Sequence, residues 1–94
     1  MTQTQAYKYA GLFKILSDDK VLLVIDFLRE ESDKRHLEKI AKAAKVSVER
    51  ARSICEKLER EYIIDETDID GEKYYKFMDS SVANDVDYII ERLV

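Results

Sequence analysis

The residues best suited to chemistry lie in the middle of the chain, where hydroxyl, acidic and guanidinium side chains share the start of one predicted helix. The exposed edge of that helix presents five polar side chains: Ser47, Glu49, Arg50, Arg52 and Ser53. A guanidinium donates paired hydrogen bonds to planar acceptor edges such as O6 and N7 of guanine. This edge is therefore suited to contacting the bases of a nucleic acid.

Basic side chains are concentrated around this edge, although the chain carries a net charge of −4 and has a pI near 5.0. Residues 34–60 hold nine lysines or arginines and four acids, whereas the rest of the chain carries −9. Extending the window to 33–61 lowers the local excess from +5 to +3. Phosphate binding responds to the local field, so one basic face is sufficient. The lysines expected to contact phosphates are Lys39, Lys42, Lys45 and Lys57.

Each of these side chains also has a simpler interpretation. Arg50 is an ordinary surface charge if it pairs with nearby carboxylates, and the lysines are a solvated helix face if no phosphate lies beside them. Arg50 and Arg52 are two positions apart, so they lie about 200° apart around a helix and cannot reach the same base pair. We expect one of them to contact bases and the other to contact phosphates.

The spacing of small and apolar residues over 37–53 predicts a helix-turn-helix. Its two helices, 36–44 and 47–60, cross at Ala41, where little more than a methyl group fits. Ser47 is a favourable N-cap for the second helix. The inward stripe of that helix is Ala51, Ile54, Cys55 and Leu58. This motif commonly places its second helix in the major groove of duplex DNA.

Helical periodicity predicts three further helices, over residues 5–16, 20–30 and 81–93. The helix over 20–30 is apolar almost all round, so it is expected to be the buried central helix. Its β-branched residues also permit a strand, but the helical neighbours favour a helix. Asp79 and Ser80 are expected to cap the last helix.

A hairpin is predicted between the second helix of the motif and the last helix. A strand begins at Tyr62, residues 65–71 form a polar turn with Asp70–Gly71 as its signal, and residues 72–77 return as the partner strand. The predicted fold is mainly α, within the α+β class, with the order ααααββα. Residues 1–94 form one domain, in which 36–60 is the helix-turn-helix and 62–78 a two-stranded wing.

Four segments follow the pattern of a known family. The segment 12–18 ends in Leu-Ser-Asp, and the segment 21–28 occupies the position of the family's second helix. The segment 40–58 matches the helix-turn-helix, and the segment 71–77 is similar to a Gly-Arg-x-x-Tyr-Tyr-x-Leu wing. Together they resemble the winged-helix repressors of the ArsR type over nearly the whole chain. The resemblance implies a homodimer joined by residues 1–16 and 80–94.

The resemblance also assigns roles to individual residues. Two recognition helices would enter successive major grooves of a near-palindromic site, with the 47–53 edge facing the bases. Lys73 is the wing residue implied to contact DNA. The first helix of the motif lacks the paired cysteines of the metal-sensing members, so no metal is expected.

Three further departures concern the backbone and the wing. Lys45 and Tyr62 stand where the family commonly has glycine, and a left-handed backbone at a non-glycine residue costs about 1 kcal/mol. The wing carries five acids before its first base, namely Asp65, Glu66, Asp68, Asp70 and Glu72. Carboxylates are repelled by phosphates, so either this wing stays off the DNA or the DNA interpretation is wrong.

The remaining motifs exclude several functional classes. Cys55 is expected to be a buried thiol, and His36 a polar residue near a helix start, without a second ligand for a metal. No catalytic constellation or phosphate-cradling glycine loop is visible, so neither an enzyme nor a cofactor is predicted. No apolar run reaches the ~18 residues of a membrane span and no signal-peptide core is present, which predicts a cytoplasmic protein.

The sequence therefore predicts a homodimeric transcriptional regulator that binds double-stranded DNA. Its lysines supply phosphate affinity, and the 47–53 edge supplies sequence selectivity. The alternative is a winged-helix module that binds proteins in a multi-subunit assembly. The acidic wing and the low pI favour this alternative more than they favour DNA binding.

Overall fold

The computed structural model describes residues 14–31 and 33–93. Residues 14–16 are helical, and the rest of the predicted first helix lies outside the described residues. Four helices and three strands follow: α1 (Asp19–Arg29), β1 (Arg35–His36), α2 (Leu37–Ala44), α3 (Val48–Arg60), β2 (Ile64–Ile69), β3 (Glu72–Phe77) and α4 (Ser81–Leu93). The chain thus forms an α+β winged helix, as its sequence predicts.

Helix α1 lies across the core and packs against both helices of the helix-turn-helix motif. Its N-cap is Asp18, whose Oδ1 accepts a hydrogen bond of 2.9 Å from the backbone N–H of Lys20. Its inward stripe, Val21, Val24, Ile25 and Leu28, is at most 3% exposed. Leu23 on the opposite side is 42% exposed, so the helix is buried along one face rather than all round.

Helices α2 and α3 form the predicted helix-turn-helix. Ala41 is 4% exposed at the crossing, and its carbonyl accepts a 3.0 Å hydrogen bond from the N–H of Val46 in the turn. Lys45 ends α2 in the left-handed conformation, with φ 57° and ψ 47°. The left-handed conformation considered for this non-glycine position is thus present. Tyr62, the other position where glycine is common, also has a positive φ of 61°.

The sheet corrects the prediction of a two-stranded wing. Its strand order is β1-β3-β2, because Arg35 pairs with Tyr75 and His36 with Tyr74. The sequence had placed His36 in the first helix of the motif, whereas it is the N-cap residue of α2. A two-residue strand leaves no periodic pattern, and its pairing partner lies far along the chain, so local sequence could not reveal it.

The hairpin turn is shorter than predicted. Strand β2 runs to Ile69, which pairs with Glu72, so the polar segment 65–69 lies in the strand and only Asp70 and Gly71 form the turn. Both turn residues have positive φ, 53° and 83°, as a two-residue type I′ turn requires. Cross-strand hydrogen bonding to β3 overrides the turn-forming composition of this segment.

Helix α4 completes the hydrophobic core. Ser80 caps it, since its Oγ accepts from the N–H of Ala83 at 3.0 Å and donates to the carbonyl of Tyr62 at 2.7 Å. Ala83, Val86 and Ile90 are at most 2% exposed. An ion pair of 3.0 Å between Arg29 and Asp87 joins α1 to α4.

Candidate nucleic-acid interface

Helix α3 presents three distinct surfaces around its buried stripe. With about 100° of rotation per residue, its outermost line carries Glu49 and Ser53. The flank facing the wing carries Val48 and Arg52, and the flank facing α1 carries Arg50 and Lys57. Ser47, Glu49, Arg50, Arg52 and Ser53 are all exposed at the start of the helix, as predicted. The predicted edge thus divides into side chains with different neighbours.

The hydroxyl of Ser47 has a structural role. Its Oγ accepts a 3.1 Å hydrogen bond from the backbone N–H of Arg50 and so caps the first turn of α3. This satisfies one of the N–H groups that the first turn leaves without a helical partner. Glu49, also in the first turn, lies at the positive end of the helix dipole. The start of α3 is therefore fixed before any ligand binds.

Arg50 is held by a carboxylate within the chain. Its Nη2 lies 2.7 Å from Oδ2 of Asp18, while the other oxygen of that carboxylate caps α1. The N–H of Lys20 and the guanidinium of Arg50 lower the pKa of Asp18. The ion pair joins the starts of α1 and α3, so Arg50 follows the simpler interpretation given to it above.

Arg52 points to the opposite side of the helix. Together with Val48 it lines a cleft between α3 and the tip of the wing, where Glu38, Glu72 and Lys73 also lie. Within residues 14–31 and 33–93, Arg52 forms no ion pair. The two arginines therefore lie on opposite flanks, as their spacing predicts, and the guanidinium of Arg52 is the one available to a ligand.

The lysines of α2 and the turn are exposed. Lys39, Lys42 and Lys45 make no ion pair with any other residue that the structure describes. Lys57 is separated from them, because it lines clefts with Ile15 and Asp18 on the α1 side of α3. Lys39, Lys42 and Lys45 therefore share one exposed stretch of the chain, and Lys57 lies apart from them.

Lys73, near the tip of the wing, is neutralised by two neighbouring carboxylates. Nζ of Lys73 lies 2.6 Å from Oε1 of Glu66 and 3.3 Å from Oδ2 of Asp68. These carboxylates raise the pKa of Lys73, and the ammonium in turn lowers the pKa of Glu66. Contact with Glu66 and partial burial raise the pKa of Glu59 on α3. The tip of the wing thus presents an acidic surface rather than a free cation.

The side chain of His36 makes several contacts at the junction of β1 and α2. Its Nδ1 accepts a 3.1 Å hydrogen bond from the N–H of Glu38, and its Nε2 lies 2.5 Å from Oε2 of Glu72. Its ring meets Tyr74 edge-on, with the ring centroids 5.3 Å apart. The prediction that His36 is a polar residue near a helix start is confirmed, and the contact with Glu72 is additional.

Cys55 is completely buried in the inward stripe of α3. Burial raises the pKa of its thiol to about 12, so the reactive thiolate is scarce at neutral pH. This agrees with the expectation of a structural thiol. Among the described residues, no three histidine, cysteine or acidic side chains are grouped closely enough to hold a metal ion.

Sequence reasoning missed Val48 as a candidate site residue. It is the first residue of α3, it lies off the buried stripe, and it is 39% exposed beside Arg52. An apolar side chain at the exposed start of a recognition helix was the signal in the sequence, because it had no core position to occupy.

Several solved structures share this fold. The transcriptional repressor BigR from Xylella fastidiosa gives a TM-score of 0.76 at 16% identity over 93% of this chain and 84% of BigR. HlyU from Vibrio cholerae gives 0.78 at 13% identity over 98% of this chain and 97% of HlyU.

A third similar structure is described as a homodimeric winged helix-turn-helix DNA-binding domain, Mb0332 from Mycobacterium bovis, a possible ArsR-family transcriptional regulator. It gives a TM-score of 0.74 at 20% identity over 95% of this chain and 83% of that domain. No protein-family model and no curated protein matches the sequence. These likenesses establish a winged helix-turn-helix fold. Within the described residues, no helix is long and apolar enough to cross a membrane.

Proposed function

We propose that this protein is a cytoplasmic, non-catalytic transcriptional regulator that binds double-stranded DNA as a homodimer, with α3 in the major groove. One observation carries the proposal. The cations of α2 and Arg52 are exposed beside the start of α3, and none of them is paired with a described carboxylate. Unpaired cations next to an exposed recognition helix provide both phosphate affinity and a surface for base contacts.

The proposed mechanism assigns separate tasks to the two helices of the motif. Lys39, Lys42 and Lys45 displace counterions from the DNA backbone and fix the position of the motif on it. The exposed start of α3 then discriminates between base pairs. Occupying an operator in this way would exclude polymerase or another factor from the same DNA.

The proposed dimer uses residues 1–16 and 80–94. An exposed aromatic side chain on α4 supports it, since Tyr88 is 58% exposed. Arg92 lies 4.3 Å from the centre of the Tyr88 ring and keeps that ring on the surface of α4. The homodimeric description of Mb0332 provides further support. A dimer would present two copies of α3 to two half-sites about one helical turn apart.

The test is a titration of the purified protein against a fluorescent duplex of random sequence over a range of salt concentrations, together with its mass by sedimentation. The proposal expects a dimer and an affinity that falls linearly in log–log coordinates with salt. A protein that stays monomeric, or one that binds no duplex at ~50 mM salt, contradicts the proposal.

The acidic wing favours a second candidate, a module that binds a basic protein. Lys73 is enclosed by Glu66 and Asp68, and the outermost line of α3 carries Glu49 beside Ser53. Such a surface attracts cationic peptides and repels phosphates. Salt-sensitive binding of a lysine-rich peptide in the absence of duplex binding would select this function over the first.

A further inference from the structure

We propose that Val48 and Arg52 act as one unit that selects DNA half-sites in which a thymine lies within two base pairs of a guanine. The inference rests on the proposed DNA-binding function, and it names the DNA sequence feature that the same surface recognises. Val48 would contact the C5-methyl group of the thymine, and Arg52 would donate two hydrogen bonds to O6 and N7 of the guanine.

The two side chains are placed to act on neighbouring base pairs. They are four residues apart, so they lie about one turn apart on the same flank of α3, separated along the axis by about 6 Å. On helices that lie in the major groove, positions three or four residues apart contact neighbouring base pairs. Both side chains line the cleft beside the wing tip, and Val48 stands where the helix begins.

The chemistry of each side chain selects a different base. Val48 has no hydrogen-bonding group, and the thymine methyl is the apolar feature of the major groove. A guanidinium matches the paired acceptors of guanine, which is the commonest specific contact that arginine makes with DNA. The pairing of an apolar and a guanidinium side chain therefore favours thymine beside guanine over other combinations.

Arg50 in the first turn of α3 and Lys73 at the tip of the wing are engaged elsewhere. Arg50 pairs with Asp18 at 2.7 Å on the opposite flank, and Lys73 pairs with Glu66 and Asp68. Glu72 lies in the same cleft as Arg52, but its carboxylate contacts Nε2 of His36. Of the two arginines at the start of α3, Arg52 alone retains a guanidinium without an ion-pair partner in the described residues.

The experiment selects preferred sites from a pool of randomised duplexes, and then modifies single atoms of the selected site. Replacing the thymine by uracil removes only the methyl group, and replacing guanine by 7-deazaguanine removes only N7. For the unmodified protein, we expect about a fourfold loss of affinity with uracil, the equivalent of one buried methyl group. With 7-deazaguanine we expect a larger loss, of about tenfold, because a charge-assisted hydrogen bond is removed.

Variants then assign each loss to one side chain. The uracil effect should vanish in Val48→Ala and the 7-deazaguanine effect in Arg52→Ala, whereas the matched control Arg50→Ala should retain both effects. Unfolding in urea checks that each variant is folded. Val48→Thr, which keeps the branched shape, provides a second variant at that position.

The outcomes separate this inference from the function on which it rests. If a site is selected but both base modifications affect the Val48 and Arg52 variants as they affect the unmodified protein, the inference is overturned and DNA binding stands. Selected sites in which no thymine accompanies a guanine overturn it as well. If no duplex binds at low salt, the proposed function and the inference fail together.

Discussion

The lysines of α2 and its turn and the lysine at the tip of the wing are in opposite electrostatic states. Lys39, Lys42 and Lys45 are exposed and form no ion pair within the described part of the chain, whereas Lys73 on the wing touches two carboxylates. The net charge of −4 conceals this difference, since it counts every group equally. The comparison teaches that affinity for phosphate depends on which cations remain unpaired, not on how many the chain contains.

The largest expected effect comes from neutralising the lysines of the helix-turn-helix. Changing Lys39, Lys42 and Lys45 together to glutamine should reduce the slope of log affinity against log salt by about 2–3, because each lost phosphate contact contributes about 0.9. The matched control Lys73→Gln should leave the slope almost unchanged. Equal effects from the triple variant and the control would remove the distinction between the two regions.

The next effect is a loss of stability when the packing that positions these lysines is disturbed. Ala41→Leu should lower the free energy of unfolding by about 1–3 kcal/mol, because the larger side chain has no space at the crossing of α2 and α3. Ala43→Leu is the matched control, since Ala43 is exposed on the same helix. Urea unfolding measures both variants. A tolerated leucine at 41 would show that the crossing is looser than the structure indicates.

Removing two wing carboxylates should make the wing less acidic and release Lys73. The double variant Glu66→Gln, Asp68→Asn leaves Lys73 without its partners and removes two negative charges, so affinity for random duplex should rise several-fold at low salt. Anisotropy titrations would measure this rise. Adding Lys73→Gln to the double variant should cancel part of the gain, and an unchanged affinity in the double variant would place the wing outside the field of the DNA.

The smallest expected effect is the release of Arg50 by Asp18→Asn. Asparagine keeps the helix cap, so the variant removes mainly the ion pair, and affinity for duplex should rise about two- to threefold. The pKa of Asp18 is lowered in the folded protein. Its contribution to stability is therefore present above the unfolded-state pKa and is lost as pH falls through the folded-state value. Asp19→Asn is the control. A loss of affinity in Asp18→Asn would contradict the interpretation that Asp18 withholds Arg50 from DNA.

The helix-turn-helix could be predicted because its signals are local. A buried alanine at the crossing, a serine cap and a stripe of four inward residues all fall within one short segment, and the structure confirms them. The left-handed backbone at Lys45 could be considered from the sequence because glycine is usual at that turn position. Asp70–Gly71 likewise fixed the hairpin turn through residues that tolerate positive φ.

The missed features depend on contacts between distant segments. Strand β1 exists because Arg35 and His36 pair with β3, which lies about forty residues later in the chain. The pairing of Arg50 with Asp18 spans 32 residues and required the relative placement of α1 and α3. The pattern of a single sequence shows which face of a helix or strand is apolar. The ion-pair partner of a charged side chain depends instead on how the helices and strands pack together.

The most direct measurement is a set of amide nitrogen–proton NMR spectra of the protein titrated with random duplex at low salt. The account predicts that chemical shifts change in residues 37–53 and stay nearly constant at the wing tip, residues 68–72. Changes centred on the wing tip, or spectra unaffected by the duplex, would contradict the central claim that the unpaired cations of the helix-turn-helix bind DNA.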